Sequence, residues 1–257
     1  MTAYADLLEL AGIYYAAGAV VFLRVGAMMS VLPAFGERVV PMRVRLILAL
    51  AFTAIVTPQI TGSLPATFDV PLLLSLSMSE ALIGLVLGIG LRLFILALQT
   101  AGSIAAQATS LSQLLGGASA EPLPAIGHVL TTAALALLMM SGLHVQVARL
   151  LILSYDALPP GQLPSASDIT PWGISQVSHA FRLAFSLAAP FVILSALYNL
   201  TLGVINRAMP QLMVAFVGAP VITFGGVFLL FLLAPTILLV WHEAVQQYLS
   251  NPLGLRP

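Results

Sequence analysis

The residues in this chain that could do chemistry are few, and most of them interrupt apolar runs. Glu80, Gly84, Gly88 and Arg92 are spaced by four and so share one stripe of a helix. A carboxylate and a guanidinium at membrane depth mark an ion path, a substrate site or a contact between subunits. At 1.5 Å per residue they stand about 18 Å apart, too far to pair, so each needs a partner elsewhere, and a second subunit is where one is expected. The plainer alternative is that the glycines admit a neighbouring helix and the charges reach for the membrane surface. A second concentration is NRAMPQLMVAFVGAP, residues 206–220. Pro210 removes a backbone donor and clashes with the carbonyl of Asn206. Asn206, Arg207 and Gln211 can hydrogen-bond the backbone freed there, and Gly218, Pro220 and Gly225-Gly226 are expected to interrupt the run that follows. Non-helical backbone at membrane depth needs protein or a water-filled cavity around it, so the segment reads as a broken hairpin in an assembly or along a conduit. A turn outside the membrane, with Arg207 as a flanking charge, is the simpler alternative.

Catalytic patterns do badly. HEAVQ (242–246) begins like a zinc-protease helix, but Gln246 stands where the second histidine must be. The chain has no cysteine and four histidines without metal-ligand spacing. Neither a nucleophile elbow nor a phosphate-binding loop is present. His128 and His144, sixteen apart, are expected on similar faces of one helix as packing or helix-end residues. The expectation is a protein that is not an enzyme and that uses no cofactor or metal.

The elements that must position these residues are set by composition. Of 257 residues 60% are hydrophobic and 7% charged, with a mean hydropathy of +1.06. A soluble domain carries about 25% charged residues, so this is a membrane protein. Nine acids balance nine bases, all arginine, which gives no reason to expect nucleic acid as a partner. No cleavable leader is expected, because Asp6 and Glu9 stand where a basic segment belongs. Six apolar regions follow: Leu10–Leu32, Leu46–Ile60, Leu72 to about Leu115, Ile126 to about Leu153, Leu183–Ile205 and Leu212–Trp241. Five arginines (Arg24, Arg92, Arg149, Arg182 and Arg207) lie in or beside them and are expected to be buried or half-buried. Gly116-Gly117 with Pro122 and Pro124 ends the third region. Thr170-Pro171 reads as the N-cap and first position of the fifth helix. The arginines of residues 36–45 place that loop on the cytoplasmic side. Neither a repeat nor a strand-like alternation is visible. The reading is an all-α polytopic protein of long, broken helices and helical hairpins, one domain over 1–257, built to pack in a multi-subunit helical assembly.

Four stretches, in order, carry a resemblance. LRVGAMMSVLPAFGERVVPMRVRLILAL (23–50), EALIGLVLGIGLRLFILALQTAGSIAAQ (80–107), SGLHVQVARLLILSYDALPPG (141–161) and LGVINRAMPQLMVAFVGAP (202–220) are similar to the FliR family, the R-type subunits of the flagellar type III export gate. That resemblance implies a non-catalytic channel subunit of the bacterial inner membrane and flagellar basal body. Its partners would be FliP and FliQ subunits, other flagellar export membrane proteins and unfolded export substrates. It implies a fold like a P-type joined to a Q-type subunit. It also implies a plug loop after the central helix, here about Ser110 to Pro122 and including Gly116, Gly117 and Glu121. Asn206, Arg207, Pro210, Gln211, Gly218 and Pro220 then shape an assembly hairpin, with Arg207 on a carboxylate of a neighbour. The T-type subunit of a virulence injectisome is the nearest alternative. Gly218-x-Pro220 and the absence of lysine favour the flagellar member. An autonomous secondary transporter using Glu80, Arg92 and Arg207 is the alternative of a different class.

Overall fold

Burial follows the helical repeat along residues 17 to 32, where Ala17, Val20, Val21, Val25, Met28, Met29 and Leu32 are buried on one face. The computed structural model describes residues 2–63, 70–110, 125–209 and 214–252. Among them the chain forms α1 (Thr2–Val31), α2 (Met42–Val56), two short 3-10 turns (Thr57–Gln59 and Thr61–Ser63), α3 (Val70–Ser110), α4 (Ala125–Met140), α5 (Leu143–Ala157), α6 (Ala166–Ala208) and α7 (Val214–Ser250). All the regular structure described is helical, and five of these helices are long and apolar enough to cross a membrane. The all-α polytopic reading stands.

Boundaries differ from expectation in three places. The fourth apolar region is not one run: it breaks at Ser141-Gly142, where Gly142 takes φ 77° and ψ 37°, a left-handed geometry that glycine adopts without strain. His128 and His144 therefore lie on separate helices, both exposed. Second, α6 starts at Ala166, so Thr170-Pro171 sits inside it instead of capping it. Third, Gly218, Pro220 and Gly225-Gly226 do not interrupt α7, which runs unbroken for 37 residues with Pro220 and Pro235 inside it. Each proline removes one rung of the ladder, and the hydrogen bonds on either side of it hold the helix together.

The chain divides into two compact units. The first comprises Met1–Arg92, Leu138–Ser175 and Gln247–Pro257, and the second Leu93–Leu137 and Gln176–Gln246. In the first, the buried core includes the α1 stripe, Ala49, Phe52 and Val56 of α2, Ile83 and Leu87 of α3, and Val147, Leu150 and Leu151 of α5. Trp172 ties into this unit by donating from Nε1 to the Pro252 carbonyl at 2.9 Å. In the second, the lower half of α3 is alanine-rich where it is buried (Ala97, Ala101, Ala105, Ala108), which lets other backbones come close. Gly102 and Gly127 meet there backbone to backbone, and Gly226 faces Thr109. Trp241, fully buried, donates from Nε1 to the Phe94 carbonyl at 2.8 Å, and Ser195 donates to the Ala108 carbonyl at 2.6 Å. Outside these cores the helices stay bare: α7 exposes Phe224, Phe228 and Phe231, the first two ring-stacked at 6.4 Å.

Candidate functional site

The stripe of α3 is zipped along α1 in chain order. Glu80 meets Arg24; a Cβ at Gly84 would overlap the Arg24 carbonyl oxygen; a Cβ at Gly88 would overlap Val31 and crowd the Met28 backbone; and Arg92 pairs with Glu37 in the turn after α1. Only glycine permits this separation at the two middle positions, and the close approach brings the two charges within reach of their partners. The partners expected on another subunit therefore lie in the same chain. Two charges 18 Å apart on one helix are satisfied by two others one helix away, a solution that spacing within α3 does not reveal.

Arg24 and Glu80 are both fully buried. Nε of Arg24 donates to Oε2 of Glu80 at 2.8 Å and Nη2 donates to Oε1 at 2.9 Å, a two-pronged match of planar groups. Nη1 donates to Oγ of Ser154 at 2.9 Å, and Nη2 also donates to the Leu158 carbonyl at 2.9 Å, just past the end of α5. The guanidinium stacks over the Tyr155 ring, 3.6 Å from its centre, and the Tyr155 hydroxyl donates to Glu80 Oε2 at 3.0 Å. One cation thus joins α1, α3, α5 and the segment after α5. Ionised groups withdrawn from water cost several kcal/mol each unless their geometry is this complete. With its carboxylate enclosed, Glu80 has no open face for a transported ion. The cluster can hold helices in register; it offers no nucleophile–base pair.

Arg92 is half-buried, as expected. Arg149, Arg182 and Arg207 depart from expectation: they are exposed, because each lies on a helix face that the rest of its unit does not cover. Asn206 and Arg207 end α6, also exposed, with the Met209 amide closing the last turn on the Ile205 carbonyl at 2.8 Å. A cation in the last turn is favoured by the helix dipole. Gly218 is buried against the Tyr198 hydroxyl and Leu202, whereas Pro220 is exposed. Pro210 and Gln211 lie outside the described residues, as do Gly116, Gly117, Glu121 and Pro122 of the expected plug loop. Ser110 is the last residue of α3. Sequence reasoning missed Ser154 and Tyr155. The available signal was a polar pair, Ser-Tyr, at the end of a strongly apolar segment and in helical register with the buried face of α5.

Residues 15–248 match the family model described as "Bacterial export proteins, family 1". Among curated proteins the chain is similar to the flagellar biosynthetic protein FliR of Caulobacter vibrioides, 32% identical over 237 residues, covering 90% of this chain and 94% of that one. It is 34% identical to FliR of Escherichia coli K12 over 221 residues, 84% of this chain and 83% of that one. Against FliR of Bacillus subtilis 168 the identity is 30% over 205 residues, 78% of this chain and 79% of that one.

Proposed function

Since the chain belongs to the bacterial export proteins, family 1, we propose that it is the non-catalytic FliR-type subunit of a flagellar type III export gate. In this reading it forms, with FliP and FliQ subunits, the channel that passes unfolded flagellar proteins across the bacterial inner membrane at the basal body. Residues 1–257 serve as one export-gate domain, and no cofactor takes part. The flagellar relatives favour this over an injectisome T-type role.

One observation carries the assembly part of the reading. The candidate spans Pro71–Thr109 and Ile169–Ala208 are 39 and 40 residues long, and their most apolar 18-residue stretches have mean hydropathies of 2.5 and 1.9. At 1.5 Å per residue each is about 60 Å, twice the roughly 30 Å of a bilayer's hydrocarbon core. Moderate tilt does not absorb that excess. Apolar side chains beyond the bilayer need protein, and α6 and α7 leave many of theirs exposed on this chain. Neighbouring gate subunits supply the cover.

The hairpin of Asn206, Arg207, Pro210, Gln211, Gly218 and Pro220 then serves assembly. Arg207 has no ion pair among the described residues and stands exposed at the end of a 43-residue helix, which supports its contact with a carboxylate of a neighbour in this reading. The plug role stays with the loop from Ser110 to Pro122. Arg207→Ala is expected to reduce assembled gate, and secretion with it, at least tenfold, since truncating one side of a desolvated charge pair costs about 2–5 kcal/mol. Wild-type secretion with a wild-type amount of complex would exclude that role.

The direct test is a mild-detergent pull-down of the tagged chain from its native membrane with mass spectrometry of its companions. FliP- and FliQ-type subunits are the expected recovery. A monomer or homodimer without them would reject the gate and return attention to transport, measured as flux by the purified chain and by its Glu80→Gln variant.

A further inference from the structure

We propose that the α1–α2 pair seats one anionic phospholipid, its phosphate on Arg43 and one acyl chain in the groove between the two helices. Arg43, Ile47, Leu50, Ala54 and Pro58 recur at intervals of three and four, which makes a single stripe along α2 and the turn that continues it, and all five are exposed. The far half of this stripe is one wall of an open groove of about 530 Å³; Tyr14, Gly18 and Phe22 of α1 form the other.

The lining selects the occupant. Two threonines border the groove, but each hydroxyl is already committed one turn back: Thr53 donates to the Ala49 carbonyl at 2.7 Å and Thr57 to the Thr53 carbonyl at 2.7 Å. Neither threonine hydroxyl therefore has a proton to offer a guest, and the rest of this stretch of the lining, Gly18, Ala19, Phe22, Leu50, Ala54 and Pro58, is apolar and suits a hydrocarbon. A partner helix is too large. At a diameter of about 10–12 Å, a 15 Å length of helix fills on the order of 1,000 Å³, about twice the groove.

The distance from charge to groove matches one leaflet. Arg43 and Ala54 are eleven residues apart, about 16 Å along the helix, and half of the hydrocarbon core is about 15 Å. The cations are also available. Arg38 in the preceding turn is exposed like Arg43, neither forms an ion pair among the described residues, and the adjacent acid, Glu37, is held by Arg92. A phosphate oxygen meets no competing carboxylate there. The seat depends on the membrane reading alone and is independent of the export role.

The test uses the full chain in mild detergent, titrated with phosphatidylglycerol and separately with phosphatidylcholine, with retained lipid counted by native mass spectrometry. The expected result is one phosphatidylglycerol, held at least tenfold more tightly than phosphatidylcholine. Arg43→Gln is expected to weaken it at least tenfold. Gly18→Leu should do the same with Arg43 intact, because a Cβ at Gly18 clears Thr57 Oγ1 by 3.8 Å and the side chain can enter the groove without moving the backbone. Ala54→Trp fills the groove from an exposed position on the other wall, and Arg149→Gln serves as an unaffected control. Far-UV circular dichroism verifies helix content in each variant. Wild-type retention in Arg43→Gln overturns the phosphate site. Wild-type retention in both groove-filling variants overturns the acyl-chain seat, and an acidic polypeptide co-purifying in place of lipid overturns the proposal as a whole.

Discussion

Arg24→Ala is expected to destabilise the chain by about 3–5 kcal/mol, the usual result of stranding one member of a buried pair. Glu80 would keep a fully buried carboxylate with, among the described residues, only the Tyr155 hydroxyl as donor, and Ser154 and the Leu158 carbonyl would lose their donor as well. Arg24→Lys recovers little, because an ammonium cannot span two carboxylate oxygens, a hydroxyl and a carbonyl while stacking on Tyr155. The double variant Arg24→Met/Glu80→Leu is expected to recover most of the loss, since two apolar side chains of similar volume remove both desolvation costs together. Denaturation of the purified chain in micelles, followed by circular dichroism, reads all three. A single variant as stable as wild type, or a double variant no better than the single, would show that the cluster does not hold α1, α3 and α5 in register.

The second large effect is at the Gly102–Gly127 crossing, and its value as a test lies in its asymmetry. A Cβ on Gly102 would overlap the Gly127 Cα and crowd its nitrogen, so backbone, which cannot rotate away, has to move. Gly102→Ala is therefore expected to cost about 1–3 kcal/mol as an overpacked site, and Gly102→Val more. A Cβ on Gly127 would sit 3.5 Å from the Gly102 Cα and 3.6 Å from the Gln99 carbonyl oxygen, ordinary contacts. Replacing a helical glycine by alanine gains up to about 1 kcal/mol, so Gly127→Ala is expected to be neutral or stabilising. The same denaturation series, run on the two alanine variants, decides it: equal losses at the two positions would mean the helices do not cross in this register.

Which parts of this were visible in the residues follows from range. Helical stripes depend on neighbours three and four apart, so the α1 face and the Glu80-Gly84-Gly88-Arg92 line could be read directly. Partners could not: Arg24 finds Glu80 across 56 positions and Ser154 across 130. Glu80 and Arg24 each looked like a charge in need, and nothing local said that each answered the other. Breaks misled in both directions. Ser141-Gly142 looked mild inside an apolar run yet ends a helix, because glycine there turns left-handed. Pro220 and Gly225-Gly226 looked severe yet leave α7 continuous, because long apolar flanks on both sides favour helix. The exposure of Arg149, Arg182 and Arg207 was equally hidden, since a buried sequence context does not imply a covered face on one isolated subunit.

The reach of the Arg24 cluster along the chain also sets a schedule. During synthesis at about 5–20 residues per second, Glu80 follows Arg24 out of the ribosome by roughly 3 to 11 seconds, and Ser154 by roughly 7 to 26. For that interval α1 holds a guanidinium with none of its final acceptors, at a depth where an unmatched charge is strongly disfavoured. The first helix of this protein is therefore expected to settle late. Its resting place at full depth is reached once the third helix arrives with the carboxylate that answers its charge.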